Sequence, residues 1–569
     1  MTPSKRWIFN GAPATDAADD PRLADQLGVS PFLVRLLRSR GMASALEMDV
    51  FLSPNLRHLA PPESYPGLMQ AAQALADGLA EGRTLCVWGD YDVDGVTSTA
   101  LVLDFLGKRG IAARHHIPDR VSEGYGLNVA NVERLAKEGV GLLLTVDCGI
   151  AATAEVARAR ELGMIVVVSD HHLPPEILPD AHAVCDPRLA DCPCPDLAGV
   201  GVAFLLMAAL NRLLPGTPAD MREFLDLVAL GTLADIVELT PQNRILVKNG
   251  LLMLKDAQRP GIHALKEAAG FNPVAPLNAG QVVFGLAPRI NAAGRIGQAG
   301  DALALLLAKT RAEARPLAQK LDDLNRERRG EEDAIFEAAC AQADTLQHRP
   351  GLVVAADDWH PGVVGIVASR LVERHHKPTL VLTREGADFK GSGRSTEDFD
   401  LFAGLTACAG HLSHFGGHRQ AAGLRVAADR LDALRDAFDA AVQAQLGKAP
   451  EAPRLCLDSI LPFADISHTL LRELELLEPF GPGNPEPVFC SERVQVEGYN
   501  LFGKDRAHVK LLLREPDSGV AMQAKAWRMA KSLSRTLAGK TVRAAFQPRI
   551  DTYSGVPTIE LTLRDVRPD

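Results

Sequence analysis

The chain reads as a multidomain α/β protein: a parallel-sheet domain, a long connecting helix, a second α/β domain and a C-terminal β-barrel of the OB type. Three features predict this. Short apolar runs alternate with helical segments from Arg83 onward, the pattern of a mostly parallel sheet with helices on both faces. Residues 310–346 are dense in Arg, Glu, Asp, Leu and Ala, with no proline after Pro316, and read as one helix. Beyond about residue 452 come three strands, a helix and two strands, the order of an OB-fold.

Taken in order, the N-terminal region 1–78 reads as helical, leucine- and alanine-rich from about residue 20 to 80, with breaks at Pro31 and Ser53-Pro54. In the 79–309 domain, strands are expected at 84–90, 114–119, 141–147 and 164–170, with helices at 97–106, 128–137 and 151–162 between them. The 310–346 helix is expected to be a solvent-facing connector. The 347–448 domain opens with strand 351–356, helix 363–373 and strand 378–384, followed by two glycine-rich stretches, KGSGRS (390–395) and FGGHRQAAG (415–423). In the 449–569 domain the strands fall near 488–499, 508–514, 521–527, 541–548 and 558–566, with a helix at 529–537.

Of the 569 residues, 47% are hydrophobic and 23% charged, which is ordinary globular composition. Nine cysteines, an odd number without regular spacing, point away from a disulfide scaffold. The start, MTPSKRWIFNGAPATDAADD, turns polar and acidic where a secretion signal needs an apolar stretch, and no run approaches the roughly 20 apolar residues of a membrane span. A cytoplasmic enzyme with no membrane partner is expected. The net charge of −10 argues weakly against nucleic-acid binding, but the basic residues cluster: Lys504 to Arg549 holds eleven Lys/Arg against Asp505, Glu515 and Asp517. On an OB-type barrel such a run suits a single-stranded nucleic acid, although a merely solvated face is the alternative.

The chemistry lies in the first α/β domain. WGDYDVDGVTS (88–98) places Asp90, Asp92 and Asp94 directly behind a strand, TVDCG (145–149) places Asp147 behind another, and SDHH (169–172) places Asp170, His171 and His172 behind a third. GTLADIVEL (231–239) adds Asp235 from a later turn. Ligands of parallel sheets gather at the carboxyl ends of the strands, so these acids should converge. Clustered carboxylates raise one another's pKa, and a pair of divalent cations resolves the conflict. Oxygen ligands with one histidine suit Mn²⁺ or Mg²⁺, and two such ions activate water for phosphoryl hydrolysis. Singly, the DxDxD run could be a helix cap or calcium loop and the Asp-His-His a surface turn. Cys185, Cys192 and Cys194 could hold zinc but lack a convincing fourth ligand.

DYDVDG, VDCG, DHH and GTLADIV, in that order, resemble the four metal-binding motifs of the DHH phosphoesterase superfamily, and FGGHRQAAG resembles the signature of its DHHA1 substrate-binding domain. WHPGVVGIVASR (359–370), RINAAGR (289–295) and LLEPFGPGNPEPVF (476–489) are similar to stretches particular to its single-strand-specific exonucleases. The resemblance runs from about residue 80 to the end. It implies an exonuclease that degrades single-stranded DNA 5′ to 3′ into 5′-mononucleotides in recombination and repair, using two Mn²⁺ or Mg²⁺ ions. It further implies a monomer partnered by single-strand-binding protein and a helicase. Carried over by motif, Asp92, Asp94, Asp147, His171 and Asp235 are the implied ligands, Asp90 and Asp170 belong to the same motifs, and His172 stabilises or positions the phosphate. Val93 stands where relatives often have alanine, a position not expected to touch metal.

Starting at a terminus requires recognition of the end. A 5′-phosphate suits arginine forks. The candidates are Arg120 in PDRVSEGYG, Arg289, Asn291 and Arg295 in RINAAGR, and Ser392 and Arg394 in GSGRS, where glycines would expose backbone N–H groups as an anion nest. By resemblance, Arg120, Arg295, Ser392 and Arg394 line a terminal-phosphate pocket, a surface ion pair being the alternative for any one arginine. His418 should face the scissile phosphates, with a packed turn histidine as alternative. Two rival functions remain at this point: a smaller-substrate phosphodiesterase of the same superfamily, separable by rates on a dinucleotide, and a non-catalytic scaffold, which would have lost ligands.

Overall fold

The computed structural model describes residues 5–10, 19–120, 122–447, 453–533, 535–551 and 555–568. The chain forms two compact units, one made of residues 61–235 and 250–451, the other of residues 1–60, 236–249 and 452–569.

The larger unit holds a five-stranded, wholly parallel sheet in the order Ala113–His116, Thr84–Trp88, Val140–Val146, Ile165–Ser169, Ala183–Cys185. Its central strands are apolar throughout because helices cover both faces. The chain runs outward from Thr84–Trp88 in one direction and then resumes on its other side at Val140–Val146. This reversal is a topological switch point, where parallel sheets bind ligands. The fifth strand is only three residues long, too short for sequence periodicity to reveal. Helix Leu68–Ala80, read above within the N-terminal region, packs on this sheet; Gly78 lets it approach, since a Cβ there would lie 3.1 Å from a Leu142 methyl.

The connecting helix forms as Arg311–Thr345, capped by the Thr310 side chain. It is not a solvent-facing connector. Ala314, Ala318, Leu321, Asn325, Arg328, Ile335, Ala339 and Ala343 recur at helical spacing and are buried against helices Pro260–Ala268, Ala287–Ile296 and Val364–His375. The small alanines permit the close packing that the charged composition concealed. Beyond it a second sheet has the order His414–Gly417, Ala421–Ala427, Asp388–Arg394, Thr379–Glu385, Leu352–Ala356.

In the smaller unit, strands Phe489–Phe502, His508–Arg514, Ala521–Ala526, Thr558–Pro568 and Thr541–Asp551 close a barrel, the first pairing with the last. The helix expected at 529–537 is absent among the described residues. They form turns and one 3₁₀ turn, Arg535–Leu537, and the Leu533 carbonyl accepts the Tyr499 hydroxyl at 2.8 Å. The described residues before 61 belong to this smaller unit. Strand Arg6–Phe9 pairs with Arg454–Leu457, and Leu23, Leu33 and Leu37 share a core with Leu470, Phe489 and Val494.

The motif LLEPFGPGNPEPVF proves to be a wrapped turn around Arg244. That buried guanidinium donates to the carbonyls of Phe51, Leu476, Leu477, Glu478 and Pro479 at 2.9–3.3 Å. Arg244→Met should therefore lower unfolding stability by about 3 kcal/mol or more, through carbonyls left without donors. Urea unfolding checks this, and an unchanged midpoint would show the clamp to be dispensable.

Candidate metal centre

Asp92 is the N-cap of helix Val93–Lys108 and accepts from the Gly95 N–H at 3.0 Å. Two residues on, buried Asp94 accepts from the N–H groups of Gly199 and Val200 at 2.7 and 2.8 Å, the first donors of helix Gly199–Leu213. Asp147 leaves its strand with φ +61°, a left-handed conformation that aspartate tolerates better than most residues. Glycines make room for these acids: a Cβ on Gly199 would lie 2.6 Å from Asp147 Oδ1, and one on Gly231 2.8 Å from Asp94 Oδ1.

His171 Nε2 lies 3.1 Å from Asp147 Oδ1, 3.7 Å from Asp235 Oδ2 and 3.9 Å from Asp94 Oδ2. Three sets offer ligand atoms within 4.8 Å of one another: Asp94, His171 and Asp235; Asp90, Asp92 and Asp147; and Asp147, His171 and His172. Asp147 and His171 link the sets. Asp170 stands behind them, accepting from the Ile150 N–H at 2.9 Å and from His172 Nδ1 at 2.7 Å. Tyr125, which the sequence did not single out, sets its hydroxyl 3.3 Å from His172 Nδ1. Its only signal was its place in PDRVSEGYG. Among the described residues no metal-holding group includes Cys185, Cys192 or Cys194.

The electrostatics match a cation site. Burial, then the charge of Asp92, pushes Asp94 up to about 7. Burial, then Asp94 and Asp92, pushes Asp235 up to about 9. Asp90 and Asp147 are raised well above the usual carboxylate range by burial, then by neighbouring aspartates. Burial holds His171 down near 4, leaving a neutral imidazole free to ligate. Burial also opposes charge on His172, but the hydrogen bond and charge of Asp170 outweigh it and lift His172 to about 9. Oδ1 of Asp90, Oδ1 of Asp147 and both ring nitrogens of His171 are buried without a hydrogen-bond partner among the described residues. Orphaned oxygens with one neutral imidazole are the donor set that Mn²⁺ or Mg²⁺ takes.

A pH dependence follows. Because folding raises these carboxyl pKa values, the metal-free folded chain holds protons that the unfolded chain releases. Its stability is present at low pH and is lost as pH rises from about 4, the unfolded value, towards about 9. Bound cations remove the repulsion. The melting-temperature gap between Mn²⁺-loaded and chelator-treated protein should therefore widen from about pH 5 to about pH 8.5. A gap independent of pH would refute this ligand set.

Beside the acids lies a group of arginines. Arg120 stacks 4.7 Å over the ring of Tyr91, the residue between Asp90 and Asp92. Arg295 donates to the Gly362 carbonyl at 3.0 Å, so RINAAGR and WHPGVVGIVASR meet here. Burial, then the charges of Arg120 and Arg328, lowers Arg295 to about 10; burial, then Arg120, lowers Arg394. Arg120, Arg295 and Arg394 have no carboxylate ion pair among the described residues.

The glycines of GSGRS form no anion nest. Asp388–Arg394 is a central strand whose backbone is used in sheet pairing on both sides. Gly391 and Gly393 are needed for space, since a Cβ at Gly391 would overlap the Val381 carbonyl. The strand instead sets Ser392 Oγ and Arg394 Nη2 3.3 and 3.2 Å from where a Cβ on Gly365 would stand, in the first turn of helix Val364–His375. Arg289 is committed elsewhere, paired with Asp322 at 2.8 Å. Asn291 is half-buried on the Arg289 helix without a side-chain hydrogen bond among the described residues. The His418 ring is exposed in a hairpin turn held through its backbone N–H, 2.8 Å from the Ala421 carbonyl, and no contact among the described residues joins it to the acids.

The family model of the DHH family N-terminal domain matches residues 84–232, that of the DHHA1 domain residues 349–444, and that of the RecJ OB domain residues 457–565. The single-stranded-DNA-specific exonuclease RecJ of Salmonella typhimurium is 35% identical over 563 residues, spanning 95% of this chain and 96% of the relative. The chain belongs to the RecJ family. RecJ of Bacillus subtilis is 37% identical over 501 residues, 87% of this chain, and the match spans only 63% of that longer relative. The crystal structure of RecJ from Thermus thermophilus in complex with Mn²⁺ superposes with a TM-score of 0.83 at 32% identity, over 100% of this chain and 80% of that one. The RecJ complex with Mg²⁺ from the same organism gives 0.77 at 30% identity, over 100% and 78%. Both ions are those the donor set favours. Among the described residues no helix is long and apolar enough to cross a membrane.

Proposed function

We propose that this chain is a divalent-metal-dependent exonuclease that removes 5′-mononucleotides from single-stranded DNA in the 5′ to 3′ direction, in recombination and repair. The observation that carries the reading is a carboxylate–imidazole cluster at a sheet switch point, flanked by arginines that form no ion pair with a carboxylate among the described residues. Such arginines await an anion, and a terminal phosphate is the anion that a strand end supplies.

In this reading Asp90, Asp92, Asp94, Asp147, Asp235 and His171 hold two Mn²⁺ or Mg²⁺ ions. When bound, the ions supply a water of lowered pKa and neutralise charge at the reacting phosphate. The side chains do the rest. Asp170 fixes the His172 ring and keeps it protonated, so that it donates to a phosphate oxygen. Arg120, Arg295, Arg394 and Ser392, with the open first turn of helix Val364–His375, take the terminal phosphate and set the register of cleavage. Exposed His418 reaches substrate only once a strand is bound, and Arg289 is structural. The barrel holds the remainder of the strand through its basic face. A monomer in the cytoplasm, working with a single-strand-binding protein and a helicase, completes the reading, since a single-strand exonuclease needs unwound substrate.

The test uses end-labelled single strands and duplexes, with and without a 5′-phosphate, in Mn²⁺, Mg²⁺ or chelator. Mononucleotide release from 5′-phosphorylated single strands, abolished by chelator, is expected. Equal attack on duplex, or activity that survives chelation, would overturn the proposal.

A further inference from the structure

Between strand Ala183–Cys185 and helix Gly199–Leu213 runs a segment that the reading above does not use. It holds three prolines and is irregular apart from one 3₁₀ turn, Pro187–Leu189. Long irregular segments inside a compact domain usually carry function. Both ends of this one are tied to residues of the metal centre. At its start, the Cys185 carbonyl accepts from the Asp170 N–H at 3.0 Å. At its end, helix Gly199–Leu213 has no side-chain cap of its own; Asp94 supplies one, accepting from the N–H groups of Gly199 and Val200. Between these ties the segment is seated by Pro187, Cys194, Leu197 and Ala198, all buried.

Its one cation, Arg188, shares the segment with Asp186, Asp191 and Asp196. Buried Asp186 caps the 3₁₀ turn by accepting from the Arg188 N–H at 2.8 Å. The Arg188 guanidinium divides its donors. Nη2 pairs with Asp196 at 2.8 Å, and Nε donates to the His171 carbonyl at 2.9 Å. The fork therefore bridges a carboxylate of the segment and the backbone of the imidazole that stands among the acids. On the other side, the His171 N–H donates to Asp170 Oδ1 at 2.7 Å. The His171 backbone is thus gripped from both sides, while its ring nitrogens have no hydrogen-bond partner among the described residues. A ligating imidazole is ordinarily oriented by a hydrogen bond at its second ring nitrogen. Here the orientation comes through the backbone, and Arg188 supplies half of it. The Arg188 charge is also felt at both His171 and Asp235.

We propose that Arg188 is a positioning residue of the metal centre: anchored on Asp196, its guanidinium braces the His171 backbone and so sets the affinity of the site for a divalent cation. This rests on the reading of His171 as a ligand and adds what holds that ligand in place. Unlike Arg120, Arg295 and Arg394, Arg188 is paired with a carboxylate, which suits a brace and not an anion receiver. Lysine cannot take the role, because an ammonium has no planar fork with which to serve a carbonyl and a carboxylate at fixed angles.

Mn²⁺ binding to the full chain, without DNA, is measured through the electron paramagnetic resonance signal of the free ion. Arg188→Lys keeps the charge and loses the fork, and should weaken Mn²⁺ binding about 10- to 100-fold. Asp196→Asn removes the anchor from the other side and should shift the affinity in the same direction. In both variants, turnover of single-stranded DNA should return close to the wild-type level once Mn²⁺ is raised to saturation. The preference for 5′-phosphorylated over 5′-hydroxyl ends should not change. If wild type binds Mn²⁺ and both variants bind it as tightly, the brace is wrong and the metal centre stands. If affinity holds but turnover at saturating Mn²⁺ falls, Arg188 serves folding or the reacting phosphate, and the positioning role is overturned. If wild type binds no Mn²⁺, the ligand assignment itself falls, and the brace with it.

Discussion

Asp147→Asn should reduce Mn²⁺-dependent hydrolysis of single-stranded DNA by about a thousandfold or more and, at neutral pH, raise the melting temperature of the metal-free protein. Asp147 Oδ1 is buried without a hydrogen-bond partner among the described residues, 3.1 Å from His171 Nε2, and Asp147 belongs to two of the three candidate metal sets. Losing a shared ligand forfeits the several kcal/mol by which a metal stabilises charge at the transition state, hence the expected factor. Asparagine is the informative replacement. It fills the same volume against Gly199 and tolerates φ +61°, where alanine would add backbone strain. The stability gain has a separate cause. Asp94, Asp92, Asp235 and Asp90 all act on Asp147 through their charge, and removing one of several buried like charges relieves the others. Turnover and thermal unfolding measured on the same preparation check both halves. Wild-type turnover would remove Asp147 from the metal set.

Arg394→Ala should slow attack on 5′-phosphorylated ends roughly 10- to 150-fold in kcat/KM and leave 5′-hydroxyl ends nearly unchanged. The factor is that of one charge-assisted hydrogen bond, about 1.5–3 kcal/mol. Arg394 is half-buried, donates only to the Gly393 carbonyl at 2.8 Å among the described residues and is repelled by Arg120. A guanidinium kept there without a carboxylate contributes little to folding, so the substitution should not lower the melting temperature. Equal slowing on both kinds of end would mean that Arg394 serves chemistry or folding, not end recognition.

The alternation of apolar runs, the long helix and the five barrel strands were legible in the sequence, and the structure and the family matches bear out that fold class. These depend on local periodicity, which a strand or helix must carry to bury one face. The strand-end acids were legible for the same reason: each motif directly follows an apolar run, and a parallel sheet delivers such positions to one edge. The helix at 529–537 did not form: its described residues make turns, one of them tied to the barrel through the Tyr499 hydroxyl and the Leu533 carbonyl, a contact that local pattern does not carry.

By itself, then, the sequence determined most of the elements and which acids stand directly behind strands, because both follow from short-range pattern and strand direction. Only the tertiary structure decided what lies between them: that the connecting helix is a packed spine, that GSGRS is a strand and not a nest, and that Arg289 is held by Asp322 while Arg394 has no carboxylate partner among the described residues. Burial, ion pairing and cross-strand neighbours are set by residues tens to hundreds of positions apart, and no local pattern encodes that distance.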